Sequence, residues 1–233
     1  MATELWKALI RAPWNRVTKG RWLDFRQLQF RWKYQQTPEQ IDYYGQVAQI
    51  DWARRHDACQ CVVLVSSMGG TNPDNFLNSV GRRKDGTGGD ILQWKRQAEL
   101  YLADAAKSGM DSIILHPGGL NDNAGDADAI SEEGEEETQQ PGSHFCLGVD
   151  DELYGAGGIA RRDVAQLCVA ALKLYQPGQR TISMDCITHP SSPKQTAEAA
   201  LEEFRQSGAV YNYFSASSTT ATTTGKVEEQ ARK

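Results

Sequence analysis

The chain has 233 residues, a hydrophobic fraction of 39% and a formal net charge of −5. That is enough for one α/β domain with a sizeable core, and the acidic balance argues against a general nucleic-acid partner. No apolar run approaches the ~18 residues of a membrane-spanning helix, so no membrane partner is expected. The five cysteines (59, 61, 146, 168 and 186) include no C-x-x-C pair. They fit a reduced intracellular compartment, cytoplasm or plastid, and no metal site is expected.

Residues 1–36 form a basic, Trp-rich N-terminal segment. Eight Lys or Arg face only Glu4 and Asp24, and four of the six tryptophans lie here. Such a stretch could stack on single-stranded nucleic acid or direct the chain to an organelle. The simpler reading, a basic segment whose tryptophans lean on the core, is preferred.

Residues 37–214 read as the domain itself. Thr37-Pro38-Glu39-Gln40 opens a helix with a cap, a proline at the first position and a capping-box glutamine, and the helix is predicted to run to about His56. Cys61 to Val65 is a short apolar run closed by Ser66-Ser67 and Gly69-Gly70, which predicts a strand buried on both faces. In an open parallel sheet, ligands sit beyond the carboxyl ends of the strands. The polar, glycine-rich stretch that follows, with Arg82, Arg83 and Lys84, reads as a loop over that crevice. Asp90 is placed to cap a helix with a buried stripe of Trp94, Ala98, Tyr101, Leu102 and Ala105, ended by Gly109. On this pattern Lys95 and Glu99 form an i,i+4 surface pair. Ser112 to Leu115 predicts a second buried strand, closing with His116-Pro117-Gly118-Gly119. His116 reads either as a base or as a hydrogen-bonded structural residue.

An acidic insertion is assigned to 121–145, because its eight acidic and no basic residues cannot bury enough apolar surface to order themselves. Asp163 is placed as the cap of a helix with Val164, Leu167, Cys168, Ala171 and Leu172 on its apolar face. Thr181 to Met184 predicts an edge-like strand. Ser192-Pro193-Lys194-Gln195 predicts the start of the last helix, with Ala197, Ala200, Leu201 and Phe204 inward. The Ser/Thr-rich tail 215–233 reads as disordered.

Alternating helices and strands imply a parallel sheet with crossovers. The segments VVLVSSMGGTNPDNFLN (62–78), ILQWKRQAELYLADA (91–105), SIILHPGGL (112–120) and ARRDVAQLCVAAL (160–172) resemble the atypical short-chain dehydrogenase/reductases. More narrowly, they are similar to the NmrA-like proteins of plants and cyanobacteria. The resemblance covers roughly residues 37–206 apart from the acidic insertion. It implies an α/β fold with a partial Rossmann-like parallel sheet flanked by helices, its N-terminal strands missing. It also implies NADP or NAD as cofactor and hydride exchange with a small carbonyl or alcohol substrate. On the resemblance, Ser67 lines the nicotinamide pocket with Ser66 beside it and polarises the carbonyl. Lys95 holds the nicotinamide ribose, Pro117, Gly118 and Gly119 present backbone groups to the carboxamide, and Arg161 and Asp163 secure the far wall.

Two departures accompany it. The family's catalytic tyrosine stands four residues before the lysine, where this chain has Ile91, which has no proton to give. No glycine-rich dinucleotide fingerprint occurs before residue 60, and the stretch before Thr37 is too short for three strand–helix units. The sequence therefore reads as the C-terminal two-thirds of a Rossmann domain, with Trp6 to Ile10 a remnant of a strand. Weak or no NADPH binding follows as the expectation. So do a homo-oligomer or partner covering an open sheet edge, and, as alternatives to an enzyme, a non-catalytic regulatory or assembly protein or a truncated product.

Overall fold

The computed structural model describes residues 36–83, 86–107, 109–122 and 143–213. The N-terminal segment through residue 35, residues 84–85, residue 108, residues 123–142 of the acidic insertion and the tail from 214 lie outside the described residues. Within them, β1 (Cys61–Val65), β2 (Asp111–Pro117), β3 (Gly119–Asn121), β4 (Phe145–Gly148), β5 (Gly158–Ala160) and β6 (Thr181–Thr188) form two sheets. The larger has the order β1-β2-β6-β4. Its first three strands are parallel, and β4 joins β6 antiparallel. β3 and β5 make a short parallel pair of their own. A π-helical turn, Glu39–Tyr44, leads into α1 (Gly45–Arg54), followed by α2 (Phe76–Ser79), α3 (Ile91–Ala106), α4 (Arg161–Lys173) and α5 (Ala197–Ser207).

Register decides which helix covers which face. Leu64 pairs with Ile114 and Ile114 with Ser183, so these three share one face. α1 and α3 cover it with Ile50, Ala53, Leu102 and Ala105. The opposite face carries Ile113, Leu115 and Met184 and is covered by α4 and α5 through Val164, Leu167, Ala170, Leu201 and Phe204. β2 is buried along its whole length because it has a strand on each side and helices on both faces.

β1 differs from its prediction. Among the described residues it has a strand on one side only, so Leu64 is buried while Val65 is 42% exposed. Thr181 to Met184, expected at an edge, lies inside the sheet, since β4 adds beyond it. β4 begins with the buried Phe145, so the C-terminal boundary of the acidic insertion falls short of residue 145. Among the described strands of this sheet, β4 is the antiparallel one, where a wholly parallel sheet was expected.

Some helix starts differ from their expected positions. Thr37 Oγ1 does accept the Gln40 N–H at 3.4 Å. The last helix, however, is capped by Thr196, whose Oγ1 accepts the Ala199 N–H, four residues after the expected Ser192. Gln195 is tied up instead in a bridge with Ser143. Asp90 occupies the N-cap position of α3 with a left-handed φ of 55°, but its carboxylate pairs with Arg82. The cap is supplied by buried Asn78 of α2, whose Oδ1 accepts the Leu92 N–H at 3.0 Å. Asp163 lies inside the first turn of α4, behind the N-cap Ala160.

At the other end of the parallel strands, Asp111 organises the turn into β6. Its carboxylate accepts the Gly178 and Arg180 N–H groups, each at 2.6 Å, and the Tyr175 hydroxyl at 2.8 Å. Burial opposes the ion, but these bonds outweigh it and hold the Asp111 carboxyl below its ordinary value. A group with a lowered folded value stabilises the fold above its unfolded value near 4, and that stability is lost as pH falls through the folded value. Asp111→Asn is therefore expected to destabilise the protein by about 2 kcal/mol at pH 7, with the difference shrinking in acid, as pH falls below the unfolded value and through the folded one. Urea titration of both proteins at pH 7 and in acid checks this, and equal midpoints at pH 7 would contradict it.

Candidate functional site

Beyond the carboxyl ends of β1 and β2 the chain continues in parallel contact. The Ser66 N–H donates to the Leu115 carbonyl at 2.8 Å and the Met68 N–H to the Pro117 carbonyl at 3.2 Å. The two glycine-rich segments, Ser66 to Gly70 and Pro117 to Gly119, thus lie side by side. Gly118 is filled in on every side: an added Cβ would stand 2.8 Å from the Gly157 carbonyl oxygen and from Ile187 Cγ2. At Gly119 an added Cβ would meet no atom within 4 Å, so its backbone borders open space.

The two serines divide their tasks. Ser67 is half-buried and its hydroxyl donates only to its neighbour's carbonyl, Met68 O, at 3.2 Å. Ser66 is 9% exposed and turns inward, donating to Glu99 Oε1 in a short bond. Glu99 is 1% exposed. Its other oxygen accepts Arg96 Nη1 at 2.6 Å and stands 3.0 Å from His116 Nε2. Glu99 is thus no surface partner of Lys95. The i,i+3 pair Arg96 and Glu99 faces the strand tips, and Lys95 reaches Asp42 of the π-helical turn at 2.7 Å.

Around this pair is a buried polar cluster. The Arg96 guanidinium lies 5.0 Å from the ring of Tyr211 and 5.1 Å from that of Tyr213, and donates to the Tyr211 hydroxyl at 2.8 Å. Burial works against its charge, but Glu99, Tyr211 and Asp151 together hold the guanidinium above its ordinary value. His116 is fully buried beneath the Tyr211 ring, centroids 4.5 Å apart, and its Nδ1 stands 3.6 Å from Asp185 Oδ1. Asp151, with a φ of 60°, sends its carboxylate under the loop after β1. There it accepts the Gly69 N–H at 2.7 Å, the Thr71 N–H at 2.8 Å and the Thr71 hydroxyl at 2.5 Å. Gly70 lies against the guanidinium, and a Cβ added there would stand 2.8 Å from Arg96 Nη2 and displace it.

The structure therefore brings Ser66, Ser67, Pro117, Gly118 and Gly119 together. Lys95 is on the helix above, tied to Asp42. Arg161 follows Ala160, the partner of Asn121 in the β3–β5 pair, and binds Asp122 at 2.6 Å. Asp163 is buried and accepts the Ser143 hydroxyl at 2.9 Å. Sequence reasoning missed Arg96, Glu99, Asp151, Asp185 and Tyr211. The signal for the first two was present: two opposite charges at i,i+3 on the side of α3 shared with Leu92, Leu102 and Ala105.

Parallel strands with covering helices and glycine-rich segments at adjacent strand tips define a Rossmann-like, dinucleotide-binding class. A family model described as NAD(P)H-binding matches residues 35–174. The chain belongs to this NAD(P)H-binding family, within the atypical, NmrA-like short-chain dehydrogenase/reductases. It is 37% identical over 166 residues to sanguinarine reductase of Eschscholzia californica, covering 70% of this chain and 50% of that protein. It is 43% identical over 141 residues to an uncharacterised chloroplastic protein of Arabidopsis thaliana, covering 60% of this chain and 36% of that one. The chain thus spans half the length, or less, of these curated relatives. Among solved structures, a Bacillus halodurans protein assigned to the NAD-dependent epimerase/dehydratases superposes with a TM-score of 0.49 at 17% identity, over 71% of this chain and 61% of that one. An oxidoreductase of Lactococcus lactis gives 0.49 at 18%, over 76% and 66%. No helix among the described residues is long and apolar enough to cross a membrane.

Removing one member of a buried ion pair leaves the other uncompensated, which is strongly destabilising. Arg96→Met is expected to lower stability by about 3–5 kcal/mol through Glu99, whereas the double variant Arg96→Met/Glu99→Leu recovers most of it. Chemical denaturation of the three proteins checks this. Equal stability of the single variant and the wild type would contradict it.

Proposed function

We propose that the chain is the nicotinamide-handling part of an NAD(P)-dependent oxidoreductase that exchanges hydride with a small carbonyl or alcohol compound. The observation that carries the reading is the adjacency of Ser67 and Gly119 at the tips of neighbouring parallel strands in a chain of the NAD(P)H-binding family. The residues fit the group. Open space in front of the Gly119 backbone leaves room for a flat ring, and half-buried Ser67 commits its hydroxyl only to a local carbonyl. When bound, reduced nicotinamide supplies the hydride. Ser67 would orient the carbonyl, the backbone after Pro117 would hold the carboxamide, and Lys95, now paired with Asp42, would hold the ribose hydroxyls. The likeness to a protein named as a reductase supports reduction as the working direction, and the chloroplastic relative supports a plastid location.

Ile91 favours a second reading, a binding protein without turnover, because it removes the family's proton donor. Calorimetric titration with NADPH and NADH, followed by assays of cofactor oxidation with small carbonyl compounds, separates the two. Lys95→Met is expected to weaken binding about tenfold, and Ser67→Ala to lower turnover with binding retained. Binding without turnover of any carbonyl would select the second reading. No binding of either cofactor would overturn both.

A further inference from the structure

Asp185 is the buried group that the crevice leaves unexplained. It is 0% exposed, on β6 beside His116 of β2. Neither carboxylate oxygen, nor His116 Nδ1, has a partner within hydrogen-bond geometry. An ionised carboxylate left in this state is costly, and it becomes tolerable when it takes up a proton. A protonated Asp185 also resolves its neighbour. With a proton on Asp185, a small approach across the 3.6 Å to His116 Nδ1 would make a hydrogen bond, and the tautomer that fits it carries its proton on Nε2, 3.0 Å from Glu99 Oε2. Glu99 Oε1 in turn faces the Ser66 hydroxyl. The four groups follow one another from the middle of the sheet to the tip of β1, and the 3.6 Å approach of Asp185 to His116 is the one link longer than a hydrogen bond.

We propose that Asp185, His116, Glu99 and Ser66 form one proton-holding chain, in which the stored proton rests on Asp185 and leaves to the crevice through the Ser66 hydroxyl. This chain supplies the proton that Ile91 cannot. It rests on the hydride-transfer reading for its use, though not for its existence. In a reduction, hydride adds to the carbonyl carbon and the C=O electron pair moves to oxygen. For that oxygen to take the Ser66 proton, the hydroxyl turns from Glu99 Oε1 to the crevice; His116 Nε2 gives its proton to the Glu99 carboxylate, which turns to hand one to the Ser66 oxygen, and Asp185 returns a proton to Nδ1. One proton leaves Asp185 and one arrives on the alcohol. The new negative charge on Asp185 balances the positive charge gained by the nicotinamide ring. Ser66 is the member placed to touch substrate; the other three act through it.

The surroundings agree. The charged and titratable groups facing the chain are Arg96 on α3, Asp151 on the loop after β4, and Tyr211 and Tyr213 on the segment after α5. Burial pushes the Asp185 carboxyl up, the His116 ring opposes this, Asp151 adds to it, and the balance stands at about 7. The backbone N–H of Asp151 favours the ion slightly without completing a hydrogen bond. Burial also raises Tyr211 and Tyr213 above their ordinary values, so they stay neutral while Asp185 titrates.

Infrared spectroscopy of the resting full chain, without cofactor or substrate, tests this. The wild type is expected to show the carbonyl stretch of a protonated carboxyl group that fades with a midpoint near pH 7, shifts with carbon-13-labelled aspartate and is lost in Asp185→Asn. On transfer to heavy water, exchange of this proton is expected to slow in Ser66→Ala and to return to the wild-type rate in Ser66→Thr. Absence of the band, its insensitivity to the aspartate label, or unchanged exchange in Ser66→Ala would overturn the proposal. Because no turnover is read, such a failure leaves the oxidoreductase reading standing, and absence of turnover leaves this test intact.

Discussion

Everything at the ligand end of this domain depends on one buried carboxylate. Glu99 accepts from Ser66 at the tip of β1 and from Arg96 on its own helix, and it contacts His116 near the tip of β2. It thereby fixes α3 against two strands at the level where the glycine-rich segments begin. Replacing a buried ion pair by apolar groups of similar volume is often neutral or stabilising. The arrangement is therefore better understood as positioning than as a source of stability. What it positions is visible in the neighbouring residues. Arg96 packs against Gly70, and Asp151, 3.9 Å from Arg96, holds the same loop through Gly69 and Thr71.

The layout of helices and strands was legible from local patterns. β2 announced itself as a continuous apolar run, α3 and α4 by their apolar stripes, and the π-helical turn and α1 by Thr37-Pro38. The edges were less legible, because an edge is a statement about neighbours. Cys61 to Val65 has the composition of a central strand, yet Val65 is exposed since β1 has one partner among the described residues. Thr181 to Met184 looked peripheral because β4, which covers it, begins at the very end of a stretch whose composition is dominated by acidic residues. Tyr211 and Tyr213 gave no periodic signal. They follow the left-handed Gly208 that ends α5, and they matter only because the chain then returns to the face opposite that helix.

For the site, the resemblance named residues that the structure brings together at two strand tips, and gave no sign of the buried cluster beside them. Of the glycines after Pro117, Gly118 is there for packing against Gly157 and Ile187, and Gly119 is the one facing open space. Of the two serines, Ser67 keeps its hydroxyl on a local carbonyl, while Ser66 donates to Glu99 of the buried cluster. Lys95 and Glu99 look like a solvent-exposed pair in one dimension. In three, a rotation of one position along α3 puts Glu99 in the core and leaves Lys95 to Asp42. Charged residues on a buried helical stripe read as surface by periodicity alone, since their partners come from strands seventeen and thirty-three residues away.

The central claim is that ligand chemistry takes place at the joined tips of β1 and β2, with Glu99 holding them in register. Amide chemical shifts recorded during titration with NADPH test it most directly. The account predicts that the largest changes fall on Ser67, Met68, Gly118 and Gly119, with a smaller response at Lys95. Changes confined to the groove at the opposite end of the strands, around Ala103, Arg180 and Val210, would contradict it.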